Sequence, residues 1–221
     1  MKNALIIGAS GGIGAAVDAA LQTQGVQTTT LSRKTDGLDV TDESSIQTHL
    51  EDIDGTFDLI FVTTGVLAAD GATPEKSIRE VTASGLLNQF MVNAVGPMLV
   101  LKHCLRLLPK DRASVFAALS ARVGSIGDNA IGGWHSYRTS KTALNQLIHG
   151  AAIEMRRTHK HAVAVCLHPG TVETTFTKAY AGRHKTVPPY EAAENLLAVI
   201  DNLTPEHSGG FFDFAGKPIE W

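Results

Sequence analysis

The chain has 221 residues, of which 43% are hydrophobic and 19% are charged, and its formal net charge is −3. These values predict one globular domain, residues 1–221, and give no electrostatic reason to expect a nucleic-acid partner or an anionic membrane. No continuous apolar run approaches the ~18 residues of a membrane-spanning helix. The two cysteines, Cys104 and Cys166, lie in apolar runs typical of buried thiols, so we expect a cytoplasmic protein.

Strand-like apolar runs alternate with helical stretches along the whole chain. The predicted strands are residues 3–7, 27–31, 57–62, 114–119 and 162–167. The predicted helices are residues 13–24, 43–51, 86–108, 137–157 and 191–202. Alternation predicts βαβ units, and continuous apolar strands predict a parallel sheet buried on both faces. The expected fold class is α/β, a single-domain Rossmann-type doubly wound parallel sheet with helices on both faces.

A glycine-rich turn joins the first predicted strand to the first helix and contains Gly8, Ser10, Gly12, Ile13 and Gly14. Gly8 suits a sharp exit from the strand, Gly12 lets the backbone approach a pyrophosphate, and Gly14 lets the helix pack close to the sheet. The helix N-terminus offers free N–H groups to an anion. The spacing is G-x-x-x-G-x-G and not the usual G-x-G-x-x-G, but its place in the chain favours a dinucleotide site.

The second predicted strand ends in Leu31-Ser32-Arg33-Lys34, a junction with a hydroxyl, two cations and no carboxylate. In dinucleotide folds an acidic residue here holds the ribose 2′-OH, whereas an arginine accommodates a 2′-phosphate. The junction therefore favours NADP(H) over NAD(H), with Ser32 and Arg33 as contacts; the alternative is a solvated loop. The pair Asp39-Val40 follows a turn and is predicted to border the adenine pocket.

Tyr137 and Lys141 are four residues apart in a predicted helix, so both side chains leave the same face. An ammonium group beside a phenol favours the phenolate and lowers its pKa from the ordinary value of about 10. The pair is predicted to be a proton donor and the cation that tunes it. This spacing is common by chance, so the prediction depends on the motifs around it.

Together the motifs resemble the short-chain dehydrogenase/reductase family over essentially the whole chain. The resemblance is carried by the glycine turn, Asp39-Val40, Asn93, Ser120, Tyr137-x-x-x-Lys141 and the run from His168 to Thr174. The segments 124–126, 132–134, 137–145 and 212–221 are similar to the C-factor and Sniffer-like branch of that family.

The resemblance implies four catalytic residues. Tyr137 would donate a proton to the substrate carbonyl oxygen, and Lys141 would lower the Tyr137 pKa and bind the nicotinamide ribose. Ser120 would hydrogen-bond the same carbonyl, and Asn93 would support a proton-relay water near Lys141. The alternatives are purely structural roles: Ser120 would be a strand-end hydroxyl that caps a turn, and Asn93 a helix residue that bonds backbone beside the Gly96-Pro97 break.

The serine assignment has competitors. Counting from the start of the strand places Ser120 at the serine position of the family, whereas counting back from Gly124 places Ala121 there. We predict Ser120, with Ser125 as the fallback.

Two further segments are implied to contact the cofactor. The nicotinamide would be held by Pro169, Gly170, Val172 and Thr174. His168 could act as a second general base, but we favour a structural role at the end of the strand, because Tyr137 already has the proton role.

On the other side of the cofactor, the family usually carries Asn-Asn-Ala-Gly where this chain has Val62-Thr63-Thr64-Gly65. Thr64 and Gly65 are the predicted contacts. Threonine hydroxyls replace only part of the hydrogen-bonding capacity of an amide.

The leading prediction is an NADP(H)-dependent oxidoreductase acting on a small-molecule carbonyl or alcohol. Substrate walls are expected from residues 121–135 and 175–189, including Trp134, and no metal site is predicted. The resemblance implies a homodimer or homotetramer in which helices 86–108 and 137–157 pair across a two-fold axis. The alternative is a nucleotide-binding signalling or regulatory protein with little or no turnover.

Overall fold

The computed structural model describes residues 1–68, 73–174 and 186–221. The strands are β1 (Asn3–Ile7), β2 (Gln27–Leu31), β3 (Leu59–Val62), β4 (Ser114–Leu119), β5 (Ala162–His168) and β6 (Phe211–Asp213). The α-helices are α1 (Gly12–Thr23), α2 (Glu43–Glu51), α3 (Ala83–Phe90), α4 (Gly96–Cys104), α5 (His135–Met155) and α6 (Pro189–Asp201).

The six strands form one parallel sheet in the order β2-β1-β3-β4-β5-β6, which confirms the predicted doubly wound α/β fold. The chain passes from β1 outward to β2 and then returns to the other side of β1 as β3. This reversal leaves a crevice at the carboxyl ends of β1 and β3, the place where ligands bind in open α/β sheets.

Two details of the sheet differ from the prediction. The third strand begins at Leu59, because the Phe57 backbone N–H bonds to the carbonyl of Leu107 and not to a neighbouring strand. The short strand β6 was not predicted; its three buried residues pair with β5 through the register Cys166↔Phe211. A run of three apolar or acidic residues carries too little periodicity to be recognised alone.

Alternate residues of the strands feed two cores, one on each face of the sheet. Leu5 and Ile7 of β1 pack on the face covered by α2, α4 and α5, whereas Ala4 and Ile6 pack beneath α1 and α6. All four side chains are fully buried. This two-sided burial explains why the inner strands β3, β4 and β5 are almost continuously apolar. The edge strand β2 differs from the prediction: four of its five residues are polar, and none is buried.

The helix predicted over residues 86–108 is interrupted. It begins at Ala83, where the Thr82 hydroxyl accepts from the Gly85 N–H, and it passes through a π-helical turn at Met91–Val95 before α4. The whole stretch Ala83–Leu107 is long and apolar enough to cross a membrane by length and composition alone. It also carries the buried side chains of Gln89 and Asn93 and packs on α5.

Candidate active site

A cavity of about 590 Å³ opens at the carboxyl ends of β1, β3, β4 and β5. Of the predicted site residues, those that line it are Gly12, Ile13, Gly14, Thr64, Gly65, Ser120, Tyr137, Lys141, Pro169, Gly170, Val172 and Thr174. The predicted residues that do not line it are Gly8, Ser10, Ser32, Arg33, Asp39, Val40 and Asn93. The cavity therefore brings together three of the four predicted catalytic residues (Ser120, Tyr137 and Lys141) with the nicotinamide-side predictions, and leaves Asn93 and most of the adenine-side predictions outside.

The turn after β1 leaves no space for a side chain at Gly8, Gly12 or Gly14. Gly8 has a φ of +95°, and a Cβ atom on Gly14 would lie 2.5 Å from the Gly8 carbonyl oxygen. A Cβ on Gly12 would lie 2.8 Å from Cγ2 of Thr174, the last residue described on the far wall of the cavity. Helix α1 has no side-chain cap and no acidic residue in its first turn, so its N–H groups face the cavity mouth open to an anion.

The threonines after β3 take two different roles. The Thr63 hydroxyl donates to the Ile7 carbonyl over 3.0 Å and fills the space beside Gly8 and Gly14. The buried Thr64 hydroxyl has no hydrogen-bond partner among the described residues. An open helix N-terminus, a glycine cradle and an unsatisfied buried hydroxyl on one cavity wall fit a dinucleotide.

The junction after β2 corrects one prediction, because a carboxylate is present there. Asp36 folds back, and its Oδ2 atom accepts from the Ser32 backbone N–H over 2.7 Å and from the Thr35 hydroxyl. These two hydrogen bonds lower the pKa of Asp36. Ser32 is buried, and Arg33 points outward as an exposed side chain. The turn therefore holds one carboxylate, Asp36, and two exposed basic side chains, Arg33 and Lys34.

The pair Asp39-Val40 serves the local fold. The Asp39 carboxylate accepts from the backbone and hydroxyl of Thr41, and Val40 is buried against Gly96, where an added Cβ would lie 2.7 Å from the Val40 carbonyl oxygen.

Tyr137 and Lys141 lie on the face of α5 that points to the end of β4. The Lys141 ammonium is 5.9 Å from the centroid of the Tyr137 ring and donates to the Leu119 carbonyl over 2.8 Å. Both side chains are more than nine-tenths buried. Burial lowers the pKa of Lys141 to about 8, with the nearby Cys166 acting weakly in the opposite direction.

The direction of the Tyr137 pKa shift is opposite to the predicted one. Burial raises the pKa of the Tyr137 phenol above its ordinary value. Desolvation disfavours the phenolate, and one ammonium group at this distance does not compensate for it. Tyr137 is therefore a neutral phenol at pH 7, which can donate a proton but holds no negative charge.

The structure separates the three serine-site candidates. Ser120 follows β4 directly, is 3% exposed and lines the cavity. Ser125 is equally buried but lies away from the cavity, and its hydroxyl accepts from the backbone N–H of Asp128. Ala121 lines the cavity but has no hydroxyl. Among these three, Ser120 alone places a hydroxyl in the cavity that contains Tyr137.

Asn93 sits in the π-helical turn, an irregularity found frequently at functional sites, and is fully buried. Its Oδ1 accepts from the Val66 N–H and its Nδ2 donates to the Val66 carbonyl, both over 2.8 Å. Nδ2 also donates to the Ser140 hydroxyl. The side chain thus ties the segment after β3 to α5, and a Cβ on Gly65 would lie 3.3 Å from its Oδ1.

The segment after β5 forms the wall opposite the glycine turn. His168 lines the cavity, and its Nδ1 atom is buried without a partner among the described residues. Burial, reinforced by the positive charge of Arg122, lowers the pKa of His168 to about 4. An imidazole with this pKa is a poor proton carrier near pH 7, in line with the predicted strand-end role. Gly170 has a φ of +79°, and the Phe214 ring packs against it.

The substrate side of the cavity is mainly apolar. Trp134 has a φ of 51°, in the left-handed region, and its ring meets the Tyr137 ring edge-on at 6.2 Å. Arg122 bridges Asp128 and Asp213, at 2.8 and 3.2 Å. The other predicted wall comprises residues 175–189, of which 175–185 lie outside the part of the chain that the structure describes.

Comparison with known proteins agrees with this geometry. The family model described as enoyl-(acyl carrier protein) reductase matches residues 8–210. The chain is 33% identical over 188 residues to 1-hydroxy-2-glutathionyl-2-methyl-3-butene dehydrogenase of Rhodococcus sp. (strain AD45), covering 84% of this chain and 79% of that protein. The chain belongs to the short-chain dehydrogenase/reductase family.

One further relative supports the predicted branch of the short-chain dehydrogenase/reductase family, and a solved structure shares the fold. C-signal of Myxococcus xanthus is 34% identical over 145 residues, covering 66% of this chain and 84% of that protein, in agreement with the predicted C-factor-like branch. The crystal structure of NADPH-bound carbonyl reductase from chicken fatty liver has the same fold. Its TM-score is 0.82 at 22% identity, covering 100% of this chain and 99% of that one.

Three residues outside the cavity that bond predicted site residues, or the helix that carries them, were missed in the sequence. Asn145 accepts from the Ser120 hydroxyl over 2.6 Å. Glu75 accepts from the backbone and hydroxyl of Ser136, and so caps α5 in place of a side chain at its own N-cap position. Asp36 is the third. Asn145 was detectable from its four-residue spacing from Lys141, whereas no sequence signal links Glu75 to α5.

Proposed function

We propose that this protein is an NADP(H)-dependent oxidoreductase that transfers a hydride between the nicotinamide and a small-molecule carbonyl or alcohol. The observation that supports the proposal most is the convergence of Tyr137, Lys141 and Ser120 on one cavity whose opposite wall is an uncapped helix N-terminus. Binding alone would not require a buried phenol and a buried ammonium at the end of the same strand.

The chain's residues divide the work of carbonyl reduction. The nicotinamide, when bound, supplies the hydride. Ser120 and Tyr137 hold the substrate oxygen, and the Tyr137 phenol, neutral at pH 7, gives it a proton. Lys141, fixed by its bond to the Leu119 carbonyl, places a positive charge beside the developing tyrosinate and binds the nicotinamide ribose.

Asn93 has a supporting role in this proposal. Its amide is occupied by Val66 and Ser140, so it acts by fixing the backbone beside Gly65 and Lys141, where a relay water would lie. The nicotinamide would be held against the glycine turn by Pro169, Gly170, Val172 and Thr174. Thr174 lies close to that turn, since a Cβ atom added to Gly12 would be 2.8 Å from its Cγ2 atom.

Cofactor preference rests on the turn after β2. Arg33 is exposed and free to meet a 2′-phosphate, and Ser32 lies beneath it. Relatives of the same fold include a carbonyl reductase with bound NADPH. Asp36 opposes this preference with its negative charge, so discrimination against NADH is expected to be modest.

The apolar wall formed by Leu67, Val123 and Trp134 around Tyr137 suits an uncharged aldehyde, ketone or alcohol. The curated dehydrogenase from Rhodococcus is named for a glutathionyl alcohol. We place the protein in the cytoplasm as a homodimer or homotetramer. Within the helix 86–108 predicted to pair across the two-fold axis, Leu101, Leu107 and Leu108 are buried in the core. Leu87, Phe90 and Ile153 are the large apolar side chains that are exposed on α3 and α5.

A second candidate is a nucleotide-binding signalling protein with little or no turnover, favoured by the similarity to C-signal. The retention of Tyr137, Lys141 and Ser120 in one cavity argues for chemistry. The two candidates differ in turnover and share cofactor binding.

The test is NADPH oxidation against a panel of aldehydes, ketones and quinones, with NADPH and NADH binding followed by fluorescence titration. Turnover of at least one carbonyl with preference for NADPH is expected. Cofactor binding with no turnover of any compound would favour the signalling candidate. Absence of nucleotide binding would contradict both.

A further inference from the structure

His168 is the last residue of β5, and it lines the cavity on the wall opposite the glycine turn. The register of β4 and β5 places it beside Ser120 on the neighbouring segment of chain. Cys166, two residues earlier in β5, packs into the core that α5 covers. Because alternate residues of a strand share a face, the His168 ring lies on the α5 side of the sheet, the side that also carries Tyr137.

The two nitrogens of the His168 ring have different surroundings. Nδ1 is buried and has no hydrogen-bond partner among the described residues. Nε2 also makes no hydrogen bond to a described residue, but it is not among the buried polar atoms that lack a partner, so it keeps contact with the cavity. The ring therefore presents Nε2 to whatever occupies the cavity.

The surroundings of Nδ1 determine which nitrogen carries the proton. A neutral imidazole has one N–H group and one bare nitrogen, and a buried N–H group without an acceptor is the rarer and costlier arrangement. The proton of the neutral ring therefore lies on Nε2. Burial and the positive charge of Arg122 lower the pKa of His168 to about 4, so the ring is neutral at pH 7. His168 thus offers an uncharged N–H donor to the cavity.

The charges beside this donor are already balanced. Arg122, on the same wall, pairs with the carboxylates of Asp128 and Asp213 at 2.8 and 3.2 Å. Among the described residues, one guanidinium with two carboxylates leaves no excess positive charge that would draw an anion to His168. The group that suits the donor is an uncharged acceptor, such as a carbonyl oxygen.

We propose that His168 determines substrate specificity by donating a hydrogen bond from Nε2 to a second, uncharged oxygen of the substrate. The inference rests on the hydride-transfer function proposed above. Neighbouring strands lie about 4.8 Å apart, so His168 is one strand spacing from Ser120, at the end of the cavity where the reacting carbonyl is held. A donor this close to the reacting carbonyl reaches an oxygen on the next carbon. The substrate class that fits is therefore the vicinal dicarbonyl compounds.

Substrate selectivity tests the proposal. The kcat and KM of NADPH-dependent reduction are measured with diacetyl and with butyraldehyde, carbonyl compounds of equal carbon number of which only diacetyl has a second oxygen. His168→Met replaces the ring with an apolar side chain, and is expected to lower the ratio of kcat/KM for diacetyl to kcat/KM for butyraldehyde about tenfold. The loss is expected in KM, because a bond to the non-reacting oxygen is equally strong before and during hydride transfer.

Two variants separate the lost donor from a change of shape. His168→Gln has the length of His168→Met but ends in an amide that donates from near the position of Nε2, so its ratio is expected within about threefold of wild type. His161→Met, at the exposed position just before β5, is expected to leave the ratio unchanged. Thermal unfolding shows whether each variant is folded, and His168→Leu replaces His168→Met if that one is not.

The protonated nitrogen is identified without any turnover. Long-range proton–nitrogen NMR spectra of the wild-type protein, labelled in its histidine rings, are recorded at pH 7. His168→Gln identifies the His168 signals by their loss. The expected result is a neutral ring with its proton on Nε2.

Each result has one meaning. An unchanged ratio in His168→Met, a His168→Gln variant as impaired as His168→Met, or a ring protonated on Nδ1 overturns the assignment. Weaker NADPH binding by His168→Met without loss of selectivity also overturns it, because the donor would then serve the cofactor. A wild type that reduces butyraldehyde and not diacetyl does the same. A carbonyl panel without any turnover contradicts the proposed function itself.

Discussion

The ammonium group of Lys141 lies 5.9 Å from the centre of the Tyr137 ring, within cation–π range, while it donates to the Leu119 carbonyl. Each is buried, and burial opposes the charged form of both: it lowers the pKa of Lys141 to about 8 and raises the pKa of Tyr137. The pair therefore places a neutral phenol next to an ammonium group whose burial lowers the stability of the folded protein.

The first prediction concerns the stability lost by burying the Lys141 ammonium group. Lys141→Met is expected to abolish turnover and to raise the free energy of unfolding by about 1–3 kcal/mol at pH 7, because an apolar side chain of similar size replaces a desolvated charge. The unfolded chain binds the Lys141 proton up to the ordinary pKa of 10.5, whereas the native protein releases it near pH 8. Wild-type stability relative to the variant therefore rises as the pH rises from about 8 to above 10.5.

Urea unfolding of both proteins between pH 6 and pH 10.5 checks this. The advantage of the variant is expected to be largest below pH 8 and to shrink above it. Lys160→Met, at an exposed position, controls for the loss of a lysine as such. A wild type that is more stable than Lys141→Met at pH 7 would show that burying the ammonium group does not lower the free energy of unfolding.

The second prediction concerns the carboxylate at the β2 junction. Asp36→Asn removes a negative charge from the turn that holds Ser32 and Arg33 and keeps an oxygen for the Ser32 N–H. Affinity for NADPH is expected to rise about threefold and affinity for NADH to change little, since only NADPH carries the 2′-phosphate that Asp36 repels. Fluorescence titration measures both. Asp201→Asn, an exposed position at the end of α6, is the matched control; an equal gain there, or none at Asp36, would remove Asp36 from cofactor selection.

The alternation of strands and helices predicted the fold because the inner strands β1, β3, β4 and β5 are buried on both faces and each helix has one apolar side. The cavity residues on the turns after β1, β4 and β5 were also predictable, since parallel strands deliver their carboxyl ends to one edge. The direction of the Tyr137 pKa shift could not be predicted from the sequence, because it depends on how completely α5 and the segment after β3 exclude water. The Asp36 carboxylate returns to Ser32 only through the conformation of its turn, which no residue pattern specifies.

The third prediction concerns the glycine turn. A Cβ on Gly12 would lie 2.8 Å from Cγ2 of Thr174, so Gly12→Ala is expected to force the two walls of the cofactor cleft apart and to weaken NADPH binding at least tenfold. Thr174→Ser removes that methyl group and is expected to restore most of the affinity in the double variant. Gly150→Ala, a helical position with open space around it, is expected to leave binding unchanged and stabilise the fold by about 0.5–1 kcal/mol. A double variant that binds no better than Gly12→Ala would refute the steric explanation.

The central claim is that the Tyr137 phenol supplies the proton for carbonyl reduction. Tyr137→Phe keeps the ring against Trp134 and removes only the hydroxyl group. The decisive measurement is the kcat of NADPH-dependent carbonyl reduction by this variant, together with its dissociation constant for NADPH. The account predicts a kcat at least 100-fold below wild type, with NADPH affinity within about threefold. A variant that reduces the same carbonyl at the wild-type rate would contradict it.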